Sequence, residues 1–155
     1  MPPFEIENLN FLKQCEGREF PATDWFVVTQ DRIQKFAEAT EDRQWIHLDS
    51  ERAQRESPFG GSIAHGFLTL SLLSYFVRQA IKIRFGVMMS VNYGLNKVRF
   101  ASAVHAGSQI RARVILRSVK ESHEFVDAIF LVHLESQSSS KPCCVAEWLI
   151  RYYRQ

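Results

Sequence analysis

The hydrophobic pattern changes its period about halfway along the chain. Between Thr29 and Thr40 the side chains Ile33, Phe36, Ala37 and Thr40 recur at helical spacing, and Thr29 stands where a capping hydroxyl is needed. Asp31 in the first turn suits the positive end of the helix dipole. Strand-forming residues precede this helix at Asp24 to Val28. Glu41 to Trp45 breaks the period, Ile46-His47-Leu48 is a short apolar segment, and Ser50 is placed to cap a brief polar helix through Glu56. Ser57-Pro58-Phe59-Gly60-Gly61-Ser62 is loop chemistry, because proline fixes one dihedral and paired glycines open conformations closed to other residues. From Ala64 to Arg84 the chain is apolar nearly all round, then amphipathic through Arg78, Lys82 and Arg84, which predicts a long helix wrapped on most sides.

Everything after that helix has strand character. Val87 to Phe100 is rich in β-formers, and Gln109 to Val119 alternates Ile110, Ala112, Val114 and Leu116 against Arg111, Arg113 and Arg117. Phe125 to Leu134 and Val145 to Tyr153 complete the set, with Ser136 to Pro142 as a polar turn between them. A long buried helix followed by long strands predicts an α+β fold, one domain over residues 1–155, in which a twisted antiparallel sheet curls around a central helix. A chain of 155 residues buries roughly 70% of its unfolded surface without metal or disulfide staples. Such a sheet leaves edge strands, and joining two of them predicts a homodimer.

Charge and cysteine usage narrow the function. With 19 basic and 17 acidic residues, the balance of +2 gives no general nucleic-acid binder. Arg111, Arg113, Arg117 and Lys120 belong to a solvated strand face, with an anionic ligand as the other reading. Three cysteines, two of them adjacent at Cys143 and Cys144, point to a reducing compartment. An opening that carries Pro2, Pro3, Glu5 and Glu7 is no secretory leader, so a cytoplasmic location is expected. Phe67 to Val77, interrupted by Thr69, Ser71 and Ser74, is too short to cross a bilayer, so no membrane partner is expected. No glycine-rich phosphate loop and no zinc-site spacing occur. His47-Leu48-Asp49 has the spacing of a facial-triad iron site completed by His123 or His133, but the long intervening helix is wrong for that barrel.

The candidate chemistry lies in two stretches. Asp42 and His47, five residues apart on a loop between helices, are able to converge on one water, and histidine changes charge near neutral pH. The plainer alternative makes Asp42 a turn cap and His47 a hydrogen-bonded core residue. Gly66 follows His65 where loop becomes helix, so its N–H lacks an intrahelical partner and is available to a developing oxyanion. Close helix packing is the alternative there. Ser71 and Ser74 lie a turn apart on the helix, and back-bonding to a preceding carbonyl is the favoured reading for Ser71.

Together these stretches resemble the MaoC-like dehydratase family, hot-dog-fold enzymes that include the R-specific enoyl-CoA hydratases. The family signature Gly-Asp-x-Asn-Pro-x-His is matched at Asp42 and His47, and its later helix entry at His65-Gly66-Phe67-Leu68. The NodN-like branch is echoed in Gln44 to His47, in Pro58-Phe59-Gly60 leading to Ile63-Ala64-His65-Gly66-Phe67, and in Asn92 to Phe100, with Lys141-Pro142 and Val145-Ala146-Glu147 near the end. The resemblance implies hydration of a trans-2-enoyl thioester to the (R)-3-hydroxyacyl form. Asp42 and His47 would work on water, the Gly66 N–H on the thioester oxygen, and Ser74 would hydrogen-bond the catalytic carboxylate. Ile63, His65, Phe67, Tyr93, Lys97 and Arg99 would contact substrate, the two cations at coenzyme A phosphates. Phe59, Phe67, Leu70 and Tyr93 would set the depth of an acyl tunnel. Coenzyme A or an acyl carrier protein would carry the substrate, and coenzyme A enters as substrate rather than as cofactor. A hot-dog thioesterase, which more usually carries an acidic residue on the central helix, is disfavoured because Phe67 to Val77 has none. A non-catalytic acyl-thioester binder is the other alternative. Glu41 stands where the family usually has glycine, which removes a permissive backbone position and sets a second carboxylate beside Asp42.

Overall fold

The structure is a computed structural model and describes residues 2–155. Strand β1 (Phe4–Ile6) and helix α1 (Leu9–Gln14) open the chain, with Asn8 capping α1 by accepting from the Phe11 N–H. Strand β2 (Phe26–Val27) leads into α2 (Gln30–Thr40), and the Thr29 hydroxyl accepts from the Arg32 N–H at 3.2 Å as the pattern predicts. Two short helices follow, α3 (Trp45–Leu48) and α4 (Ser50–Glu56). The cap of α4 is Asp49 rather than Ser50: its carboxylate accepts from the Arg52 N–H at 2.9 Å, a charged acceptor at the positive end of a helix.

The predicted long helix is two helices, α5 (Gly66–Ser71) and α6 (Leu73–Ala80), joined at Leu72. It also stops earlier than expected. Ile81-Lys82-Ile83 forms strand β3, which pairs in parallel with β1 from the other end of the sequence. Local amphipathicity extends the helix through Arg84, but a strand partner about eighty residues away captures the β-branched isoleucines.

Four long strands make the main sheet: β4 (Val87–Arg99), β5 (Gln109–Glu121), β6 (Phe125–Ser136) and β7 (Ser139–Arg154). With β2 they pair antiparallel in the order β2-β5-β6-β7-β4. The run from Ser136 to Pro142 is therefore mostly strand, because Ser136 pairs with Ser139 around a tight turn and the remaining polar residues extend β7. Exposed polar strand ends carry the same residue types as loops, which is why composition misplaced them.

The alternation seen in the sequence decides which face of the sheet is inside. Ile110, Ala112, Val114 and Leu116 of β5 and Val126, Ala128, Phe130, Val132 and Leu134 of β6 are fully buried. They form one continuous cluster with Leu68, Leu73, Phe76, Val77 and Ala80 of the paired helices. Helix α5 packs against β7 and α6 against β5, so the sheet curls around the helical pair as a hot-dog fold. On the outer face Arg111 pairs with Glu135 at 2.9 Å and Arg113 with Glu19 at 2.6 Å, the solvated face expected of that basic run. All three cysteines are buried free thiols, and burial pushes Cys143 up to about 12 and Cys144 up to about 11, which keeps both protonated and unreactive. No helix among the described residues is long and apolar enough to cross a membrane.

Phe130 is a fully buried ring where β6 meets the helices. Phe130→Ala is expected to lower unfolding stability by about 3–5 kcal/mol, read as a fall in the urea midpoint.

Candidate active site

The two sequence stretches are brought side by side by backbone hydrogen bonds. The Ile63 N–H donates to the Ile46 carbonyl at 3.1 Å, and the Ala64 N–H to the Val104 carbonyl at 2.7 Å. His47 Nδ1 lies 2.7 Å from the Ile63 carbonyl oxygen. A carbonyl only accepts, so neutral His47 carries its proton on Nδ1 and keeps a lone pair on Nε2. Gln30, the first residue of α2, staples the same junction: its amide NH2 donates to the His47 carbonyl at 2.7 Å, while its amide oxygen accepts from the Ser62 hydroxyl at 2.7 Å. Nothing in the local pattern marks Gln30 or Ser62, because their role depends on three segments meeting.

Asp42, His47 and His65 converge, with a donor atom from each lying within 4.8 Å of the others. The imidazoles of His47 and His65 stack at 3.7 Å between centroids and 24° between planes. His65 Nε2 lies 2.9 Å from the Asp42 backbone carbonyl, so this ring donates from Nε2 and holds the Asp42 loop against the histidines. His47 is 6% exposed, and its pKa lies below the ordinary 6.5. Desolvation is the main cause; the Ile63 hydrogen bond opposes it, His65 adds to it and Asp42 opposes it. His47 is thus held neutral, as a base must be. These three are also the residues whose donors could approach a cation. Rings stacked nearly face to face direct their lone pairs alongside one another rather than toward a common point, which suits proton transfer better than chelation.

Glu41 has φ 60°, the one left-handed non-glycine among the described residues, and forms the C-cap of α2. The chain thus keeps the conformation for which glycine is preferred, with a carboxylate on it. That side chain is 77% exposed and pairs with Arg43 at 3.0 Å, so it turns to solvent instead of crowding Asp42.

The other nominated residues divide. Gly66 starts α5 without a side-chain cap from His65, leaving its N–H free of that partner. Packing is also close there: an added Cβ would stand 3.1 Å from the Phe100 ring, which would have to give way. Ser71 bonds back to the Phe67 carbonyl at 2.7 Å, the favoured reading for it. Ser74 does not reach Asp42 within the chain; its hydroxyl donates to Asn92 Oδ1 at 3.4 Å, because α6 faces β4 rather than the Asp42 loop. Ile63 and His65 are buried, the Ile63 carbonyl oxygen lying 2.7 Å from His47 Nδ1 and His65 Nε2 lying 2.9 Å from the Asp42 carbonyl. Phe67 is 68% exposed on α5, and Tyr93, Lys97 and Arg99 are exposed along β4. Two adjoining grooves of about 700 and 270 Å³ share Ser74, Asn92 and Trp148 and run between the paired helices and β4. Phe67, Leu70 and Tyr93 line the smaller one, and Val77, Ile81, Val87 and Val91 the larger; Phe59 instead sits by His105.

A curled antiparallel sheet around a helical pair is the fold this chain shares with MaoC-like proteins. The chain belongs to that family: the MaoC like domain matches residues 12–134. It is 43% identical over 148 residues to 3-hydroxyacyl-thioester dehydratase Z of Mycobacterium tuberculosis (strain ATCC 25618 / H37Rv), covering 95% of this chain and 97% of that protein. It is also 43% identical over 135 residues to Nodulation protein N of Rhizobium leguminosarum bv. viciae, covering 86% and 83%. Among solved structures it superposes on the unliganded R-hydratase PhaJ1 from Pseudomonas aeruginosa with TM-score 0.68, at 21% identity and covering 90% of this chain and 83% of that one, which shows the shared fold.

Replacing Glu41 by glycine removes the cost of a left-handed L-residue, so Glu41→Gly is expected to raise stability by about 1 kcal/mol in urea titrations. The lowered His47 pKa sets a second expectation. Above pH 6.5 the group is neutral whether folded or unfolded and contributes nothing. As pH falls through 6.5 the unfolded chain binds the proton more readily, so wild type loses stability relative to His47→Gln between pH 7 and pH 5.

Proposed function

We propose that this protein is a hydro-lyase of the 3-hydroxyacyl-thioester dehydratase type, interconverting a trans-2-enoyl thioester and its (R)-3-hydroxyacyl form with Asp42 and His47 as the acid–base pair. The observation that carries it is the free Nε2 lone pair of a buried, neutral His47 beside Asp42 at the entry of α5. Support for the chemistry comes from the 43% identity to a 3-hydroxyacyl-thioester dehydratase across 95% of the chain. In the hydration direction the dyad takes a proton from water as its oxygen bonds to C3, and returns a proton to C2, ending as it began. Negative charge on the thioester oxygen meets the Gly66 N–H. No metal or redox group enters, because the thioester acidifies C2 by itself. The acyl chain runs into the groove past Phe67, Leu70 and Ser74, and Lys97 and Arg99 on the exposed strand meet the phosphates of coenzyme A or an acyl carrier's phosphopantetheine.

A homodimer joined through β4 belongs to the same proposal. That strand ends the sheet, pairs only with β7, and presents Met88, Met89, Tyr93 and Leu95 to solvent beside Phe67. Exposed apolar side chains along an open strand edge favour pairing with a second copy, which would also cover the grooves. Three buried free thiols suit the reducing cytoplasm. Thioesterase chemistry is disfavoured because α5 and α6 carry no carboxylate. The motive for a non-catalytic acyl binder weakens, since the Glu41 carboxylate points to solvent and is paired.

The test is loss of enoyl-thioester ultraviolet absorbance with crotonyl-CoA and a longer trans-2-enoyl-CoA. Wild type is expected to turn over, and Asp42→Asn and His47→Gln to fall about 10²- to 10⁴-fold while remaining folded. Binding without turnover at every chain length would refute the hydratase and support the acyl binder.

A further inference from the structure

His65 presents a combination that packing alone does not explain. Its ring is 3% exposed, lies between His47 at 3.7 Å and Phe36 at 5.0 Å, and donates from Nε2 to the Asp42 carbonyl at 2.9 Å. Its Nδ1 is the one buried side-chain nitrogen or oxygen among the described residues with no hydrogen-bond partner. A phenylalanine would fill the space without orphaning a polar atom, and a glutamine would supply the N–H without a flat face. The imidazole supplies both the donor and the stacking surface.

We infer that His65 is a positioning residue for the Asp42–His47 pair, pinning Asp42 by its backbone and the His47 ring by its face without touching substrate. This rests on the hydratase assignment above. His47 is fixed in its plane from two directions: its edge by the Ile63 carbonyl and its face by His65. Asp42 sits directly after the left-handed Glu41, on a segment with no regular structure, so the bond to His65 is what ties its backbone to the histidines. Placement of reacting groups within a fraction of an ångström decides how often they meet in a productive arrangement, so a loosened pair loses turnover rather than affinity. The second ring also affects charge. Asp42 and His47 are the titratable groups facing His65, and α2 contributes only the apolar Phe36; two imidazolium ions at 3.7 Å repel strongly, so His65 helps keep His47 unprotonated.

Two variants separate the contributions: His65→Phe keeps a stacking ring and loses the donor, and His65→Gln keeps a donor and loses the ring. With crotonyl-CoA, both are expected to lower kcat at least tenfold and leave KM within about twofold. The acid limb of the kcat/KM profile should move to higher pH in both, because the neighbouring imidazole is gone. Unchanged kcat and unchanged pH profile in both folded variants would overturn the inference, and so would a loss confined to KM, which would make His65 a substrate contact. If neither variant folds, nitrogen-15 imidazole spectra of wild type decide: Nε2–H for His65 and Nδ1–H for His47 are expected, and the opposite tautomer of His65 would refute the clamp. Wild-type inactivity with these tautomers present would count against the hydratase assignment alone, whereas an active wild type with unaffected variants would count against His65.

Discussion

The hydrogen bond from His47 Nδ1 to the Ile63 carbonyl joins the two halves of the site. It runs from α3 to the loop that enters α5, and it selects the imidazole tautomer that leaves Nε2 free. Around it the Ile63 N–H to Ile46, the Gln30 amide and the Ser62 hydroxyl repeat the same linkage, so the loop cannot shift without breaking several buried bonds. Each of those partners also anchors an element: Gln30 begins α2, and Ala64 pairs with Val104 ahead of β5. Asp42, His47 and His65 are therefore brought together by the fold's outer helices and held against the sheet, a rigid support for their geometry.

Burial has two consequences at this junction. It makes His47 reluctant to accept a proton, and it makes every unmatched polar atom costly, so the orphaned His65 Nδ1 stands out. Glu41 represents another such tension. It holds a backbone conformation that favours glycine, yet its side chain escapes to solvent and Arg43, so the strain stays in one residue.

The open side of the molecule carries a different constraint. Strand β4 pairs on one edge only and is exposed along most of its length, and the grooves lie between it and the helices. The buried histidines adjoin the start of α5, and the smaller groove is lined along α5 from Phe67 to Ser71. Gly66 opens α5, with the Phe100 ring 3.1 Å from where a Cβ would stand.

Much was determined by the sequence alone: the capped helix at Thr29, the alternation of Ile110, Ala112, Val114 and Leu116, the curled sheet around apolar helices, and the two stretches whose Asp42, His47 and His65 converge. These follow from local periodicity and from residue types with a narrow range of uses. Tertiary structure decided where α6 ends, because β3 is a strand only by virtue of β1, and it moved Ser74 from Asp42 to Asn92. It also gave Ile63 and His65 their hydrogen-bond partners in His47 and Asp42, and brought in Gln30 and Ser62. Those outcomes depend on segments distant in sequence meeting at hydrogen-bond range, and a local pattern carries no record of which partner a backbone carbonyl or an amide will find.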